Sequence, residues 1–213
     1  MLISRTYLGV AVLDDCTLYA VGGSDGDFNP LNSVEIFNVS IEKWQMVSSM
    51  TIKRVNLGIG VLNNHIYAVG GHDESYELKS AEYYDPTLDT WTRIAEMSVC
   101  RNGVGVGVLD SVIYAIGGEN EAGTLKSAET YKPSDGVWTS IADMHECRSF
   151  PGVVAFNGLL KTIARIGLEV QIDFHGMPDT TDLVNETSDF PEEYRGLLES
   201  PNKIKSSFRL RNE

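Results

Sequence analysis

Four histidines, His65, His72, His145 and His175, are the side chains best suited to metal or acid–base chemistry. None stands in a ligand spacing such as His-Glu-x-x-His. His65 opens an apolar stretch and reads as structural; His72 follows a Gly-Gly pair and reads as a loop residue. The three cysteines, Cys16, Cys100 and Cys147, form no Cys-x-x-Cys pair, which argues against a zinc site and a disulfide framework. Gly103-Val104-Gly105-Val106-Gly107 has the look of a phosphate loop. It runs from strand to strand, however, with no helix N-terminus to receive a phosphate. No Ser, Cys or Lys nucleophile motif is present, and no acidic pair stands out as an acid–base couple. The residues therefore predict no catalytic, cofactor-binding or metal-binding side chain, and no enzyme.

Arginine is different, because its spacing is regular. Arg54, Arg101 and Arg148 fall 47 residues apart, with Arg5 at the corresponding place before the first unit. Such a series can be a ring of ligand-binding cations, or one tie per unit between a loop and neighbouring backbone carbonyls. Strict periodicity favours the tie, since a specific site rarely needs the same residue in every unit.

The elements that carry these arginines repeat with them. Trp44, Trp91 and Trp138 keep the 47-residue interval, as do Met50, Met97 and Met144, and Glu35, Glu82 and Glu129. Gly-Gly pairs stand at 22–23, 70–71 and 117–118, so one extra residue lies in the loop between Gly23 and Glu35. Each unit reads as four short strands. The first is Gly-rich, from Tyr7, Asn56 or Gly103 to Leu13, Leu62 or Leu109. The second is apolar throughout, as in Ile66-Tyr67-Ala68-Val69, and ends on the glycine pair. The third carries Glu and then an aromatic (Phe37, Tyr84, Tyr131), and the fourth surrounds the Trp. No sustained helical period appears in residues 1–160. Strands apolar on both sides suit sheets buried between neighbours. Glycines allow inner strands to crowd an axis, and one Trp per unit fills the widening gap between sheets.

Gly-Gly, Glu, Tyr or Phe, Trp and Met at this interval resemble the kelch repeat. Residues 66–71, 80–86 and 90–92 look like the kelch-like subfamily in particular. The resemblance implies an all-β fold of kelch-type β-propeller blades: three full four-stranded antiparallel blades plus a partial fourth, an incomplete propeller with a divergent C-terminal tail. The repeats are expected over residues 1–160 (about 5–50, 52–97, 99–144 and a partial 146–160). The tail covers 161–213, with one strand at 165–174 and the remainder loosely ordered. A short helix through 189–198 and a basic stretch at 203–211 are further readings there; the basic stretch is read as a solvated terminus. Proteins of this subfamily usually carry a BTB and a BACK domain before a six-bladed propeller. Many are substrate-recognition adaptors of cullin-RING ubiquitin ligases, and others bind actin. The implied function is thus a protein-interaction module with a protein substrate or actin as partner.

Two departures qualify this. Nothing in the 213 residues resembles BTB or BACK, so a cullin is expected to be reached only through such a part outside them. The fourth repeat begins at Cys147-Arg148-Ser149-Phe150 but then has Lys161 and Ala164-Arg165 where Tyr and Gly-Gly are due, with no fourth Trp. Three-and-a-fraction blades do not close a ring. The chain is then a fragment or aberrant product of a longer propeller protein, half of a two-copy ring, or an open array covered by its tail. Open blade edges would favour self-association.

The resemblance also places a partner-binding face on two loop sets. After the glycine pairs lie Asp25, Phe28, His72, Tyr76, Glu119 and Asn120; two residues after each periodic Arg lie Tyr7, Asn56, Gly103 and Phe150. These last four all differ while the Arg does not, which suits a recognition surface, and the aromatics are the best anchors. The formal net charge of −13 argues against nucleic acid and anionic membranes as partners. No apolar run reaches membrane-spanning length, and the start lacks the pattern of a signal peptide. The expected compartment is the cytoplasm, with the cytoskeleton as a second location.

Overall fold

A computed structural model describes residues 1–13, 17–156, 158–166 and 169–175. Three four-stranded antiparallel sheets follow one another along the chain. The first holds β1 (Gly9–Leu13), β2 (Thr17–Val21), β3 (Val34–Asn38) and β4 (Lys43–Val47) in sequence order. The second holds β5 (Gly58–Leu62), β6 (His65–Val69), β7 (Ala81–Asp85) and β8 (Thr90–Arg93). In the third, β9 (Gly105–Leu109) and β10 (Val112–Ile116) are followed by a small hairpin, β11 (Glu119–Asn120) and β12 (Gly123–Thr124). The sheet is completed by β13 (Ala128–Lys132) and β14 (Val137–Ile141). A fourth sheet holds β15 (Gly152–Phe156), β16 (Leu159–Ile166) and β17 (Glu169–His175), all antiparallel. No helix occurs among the described residues. The kelch-type blades expected from the sequence are present: three full and one partial.

Burial follows the blade geometry. The second strand of each blade is covered on both faces, with Ile66, Ala68 and Val69 inaccessible and Ile113, Ala115 and Ile116 likewise. This is why four consecutive apolar residues stand there instead of an alternating pattern. Inner strands pack against one another from blade to blade, and their glycines make the room. A Cβ on Gly58 would lie 2.3 Å from Val106 Cγ2, and one on Gly107 2.5 Å from Val153 Cγ1. The tryptophans of the second and third blades close the outer gap to the blade before. Trp91 stacks on Tyr84 and Trp138 on Tyr131, both at 5.2 Å between centroids. The Trp91 indole N–H donates across to Ser48 O of the preceding blade, and that of Trp138 to Ala95 O.

The inner strands begin at Gly9, Gly58 and Gly105, two residues later than the sequence pattern places them. Tyr7, Asn56 and Gly103 have φ of 55°, 54° and 62°, and Phe150 follows at 53°. A left-handed residue cannot continue a ladder, so the strand starts beyond it. In the fourth sheet the segment that follows Phe156 supplies β16 and β17, so pairing continues to His175. The helix read at 189–198 and the basic stretch at 203–211 lie outside the described residues.

Candidate interaction surface

The periodic arginines are buried ties. Arg54 is completely inaccessible. Its Nη1 donates to Gly70 O (2.8 Å) and Ser80 O (2.9 Å), its Nη2 to Ser80 Oγ, and both Nε and Nη2 to Glu82 Oε1. Its backbone meanwhile belongs to the blade before: Arg54 N–H donates to Leu31 O, and Gly23 N–H donates to Arg54 O. One residue therefore joins two blades. Arg101 repeats the arrangement with Gly117, Ser127 and Glu129, and Arg5 with Gly22, Ser33 and Glu35. Glu82 also accepts the Thr51 N–H and Glu129 the Ser98 N–H, so each buried carboxylate is met by a cation and a backbone donor. Burial pulls the Arg54 and Arg101 guanidiniums below their ordinary range, with Glu82 and Glu129 opposing it. These arginines bind neighbouring blades together.

Around this frame the two loop sets come together. The residue after each arginine pairs with the first residue after the glycine pair: Thr6 with Ser24, Val55 with His72, Asn102 with Glu119. The next residue along forms an arc. Asn56 N–H donates to Tyr7 O (3.0 Å), Gly103 N–H to Asn56 O (3.0 Å), and Phe150 N–H to Gly103 O (2.8 Å). Tyr7, Asn56, Gly103 and Phe150 thus stand side by side, one per blade, their backbones linked in series. Tyr7 is 61% exposed and Phe150 54%. Gly103 is buried, because a Cβ there would meet the Phe150 ring at 2.9 Å.

Phe28 and Tyr76 project from the loops after the first two glycine pairs, 76% and 69% exposed. Each loop is shaped by one side chain. Asp25 Oδ1 accepts the Asp27 and Asn29 N–H groups, Asp73 Oδ1 those of Ser75 and Tyr76, and Asn120 Oδ1 that of Ala122. Asp25 and Asn120 therefore set turns that present their neighbours. The Asn29 side chain holds the Asp25 carboxyl below its usual range. At Asp73 burial pushes upward, but the Ser75 and Tyr76 amides prevail and the carboxyl is again lowered. His72 is half-buried in its bridge, and Glu119 accepts the Asn102 side-chain amide. Asp73, which sequence reasoning left out, was accessible from its register with Asn120, 47 residues on.

Two clefts open between adjacent loops at repeat-equivalent places. One, about 320 Å³, lies between Thr51–Lys53 and Asp73–Ser75. The other, about 530 Å³, has Val99 and Cys100 on one side, Asn120, Glu121 and Ala122 on another, and Tyr76 and Glu77 at its margin. Burial, and then Glu77, push the Cys100 thiol up. Among the described residues no group of three His, Cys, Asp or Glu side chains could hold a metal ion, and no helix is long and apolar enough to cross a membrane.

Repeated four-stranded blades, tied by a buried Arg–Glu pair and presenting variable loops on one rim, define a propeller-type interaction module. The match to known families agrees: the Kelch motif fits residues 4–51, 53–98 and 100–145, and the chain belongs to the kelch-repeat family. It is similar to Kelch repeat and BTB domain-containing protein 2 of cowpox virus (strain GRI-90 / Grishak), 35% identical over 74 residues, which cover 35% of this chain and 13% of that protein. It is also similar to human Kelch-like protein 28, 38% identical over 82 residues (35% of this chain, 14% of that one). Mouse Kelch-like protein 8 is 35% identical over 61 residues (29% and 10%). The matched stretches thus span only a small part of each relative's length.

Proposed function

We propose that this chain is the substrate-recognition part of a cullin-RING ubiquitin ligase adaptor, acting in the cytoplasm, with its protein partner docked on the loop rim. The observation that carries the docking face is the set of exposed aromatic rings at Tyr7, Phe28, Tyr76 and Phe150 on a backbone held rigid by the Arg ties. Rigid loops lose little entropy on binding, and aromatic anchors dominate interface energies. The adaptor role is supported by relatives whose names include a BTB domain; a cullin would be reached through such a part and not through the blades. The test is capture from lysate by the chain and by its Tyr7→Ala/Phe28→Ala/Tyr76→Ala form, followed by abundance of the captured protein when the proteasome is blocked. The adaptor reading expects a partner lost from the triple variant whose abundance rises on blocking. Capture of actin filaments with no such client would replace it with a cytoskeletal scaffold.

A further inference from the structure

The two repeat-equivalent clefts differ in their lining, and above all in how the glutamate of each is paired. In the first, Lys53 stands on the connecting segment and its Nζ pairs with Glu74 across the cleft. In the second, the position of Lys53 is taken by Cys100 and that of Glu74 by Glu121, each 47 residues on. Glu121 is exposed and has no cation, and Glu77 stands half-buried at the same cleft with none either. Tyr76 offers an exposed ring beside them and Val99 an apolar wall. The same loop arrangement therefore occurs twice: in the first cleft the glutamate is paired with the chain's own lysine, and in the second the equivalent glutamate is not.

Resting on the reading of the loop rim as the docking face, we propose that the cleft between the second and third blades receives a lysine side chain from the protein partner, its ammonium on Glu121 and Glu77. The alkyl stem lies along Val99 and the Tyr76 ring, as long cationic side chains do against apolar and aromatic surface. The surrounding charge is of the right sign. Residues 24–29, 72–77 and 119–123 carry Asp25, Asp27, Asp73, Glu74, Glu77, Glu119 and Glu121, against two nearby lysines that are already paired, Lys53 with Glu74 and Lys79 with Glu96. The partner segment is accordingly basic, and an acidic one is repelled.

The probe is a nonapeptide of alternating alanine and lysine, with a glutamate counterpart as control, titrated into the isotope-labelled 213-residue chain at low salt. The amides of Tyr76, Cys100 and Glu121 should shift and saturate at one site. Affinity should fall about tenfold in Glu121→Gln, the loss of one charge-assisted contact. It should fall similarly in Cys100→Lys, which supplies the ammonium internally as Lys53 does, so the fold has already accommodated that side chain one repeat earlier. Lys53→Ala should open a second site at the first cleft. Shifts spread over all acidic loops without saturation, unchanged affinity in Cys100→Lys, or equal binding of the glutamate peptide would overturn the proposal. The docking face is tested separately. Partner capture that falls with Tyr7→Ala and Phe28→Ala but not with Glu121→Gln keeps the rim and discards the lysine cleft; capture indifferent to all three discards both.

Discussion

Arg54 and Glu82 are each inaccessible to water, and together they satisfy a glycine carbonyl, a serine and the Thr51 amide. Removing one member leaves the other as an uncompensated buried charge. Arg54→Ala should therefore cost about 3–5 kcal/mol, as should Glu82→Ala. Arg54→Lys should rescue little, because a single ammonium cannot reproduce the planar fork that reaches two carbonyls and a carboxylate. Denaturant unfolding of the three variants checks this; a loss under about 1 kcal/mol, as for a surface pair, would contradict it. Asp89 gives a pH signature. Its carboxylate accepts the Ser48 N–H of the blade before (2.9 Å) and the Tyr84 hydroxyl (2.8 Å), and these contacts hold its pKa below the ordinary value. A depressed folded-state pKa means stability that is complete above the unfolded value and lost as pH falls through the folded one. Thermal midpoints between about pH 6 and about pH 3 should thus converge between the chain and Asp89→Asn as the pH drops. A gap that stays constant or widens in acid would refute the assignment. Periodicity alone made the structural role of the arginines legible. It could not say that each has its backbone in one blade and its side chain in the next, because that depends on how two sheets stack.

At the level of the strand, the residue that ends the connection and begins the blade is left-handed in all four units: Tyr7, Asn56, Gly103 and Phe150. Asn and Gly tolerate this conformation, whereas β-branched residues do so at appreciable cost. Asn56→Val should destabilise by about 1–2 kcal/mol, and Phe150→Gly should relieve strain while removing the exposed ring. Melting temperatures of the two variants check the signs; a neutral Asn56→Val would show that the arc is more pliable than its serial hydrogen bonds indicate. This conformation also explains what could be read in advance and what could not. The four strands per blade were visible in the Gly-Gly, Glu and Trp register and in runs such as Ile66-Tyr67-Ala68-Val69, since each type answers to a strand buried on both faces. The late start of β1, β5 and β9 was not, because Tyr7 and Phe150 give no sign of positive φ; only Asn56 and Gly103 at the same address hinted at it. The same four positions were singled out as variable, and the structure adds that their backbones form one hydrogen-bonded arc. Asp25 and Asn120, read as contact residues, are seen to shape the turns, a role set by local geometry that spacing does not encode.

For the whole molecule, the two ends of the blade array present unlike surfaces. Ile59 presses on Gly9, Val106 on Gly58, and Val153 on Gly105, so each inner strand offers β-branched side chains to the glycines of the blade before. Val10 and Val12 occupy the corresponding side of β1 and are more than half exposed, with no blade against them among the described residues. Apolar surface of this kind associates. The purified chain should therefore show concentration-dependent self-association in sedimentation, reduced in Val10→Thr/Val12→Thr; a strict monomer at all concentrations would contradict this. The rim bearing the glycine-pair loops is a separate face, rigid, acidic and studded with aromatic rings, and its role in recognition is the central claim. Hydrogen exchange of the chain with and without a captured protein partner addresses it most directly. Protection should concentrate at residues 24–29, 72–77 and 119–123 and along the arc from Tyr7 to Phe150. Protection confined to the opposite loops, at residues 38–43 and 86–90, would place the partner on the other face and contradict the account.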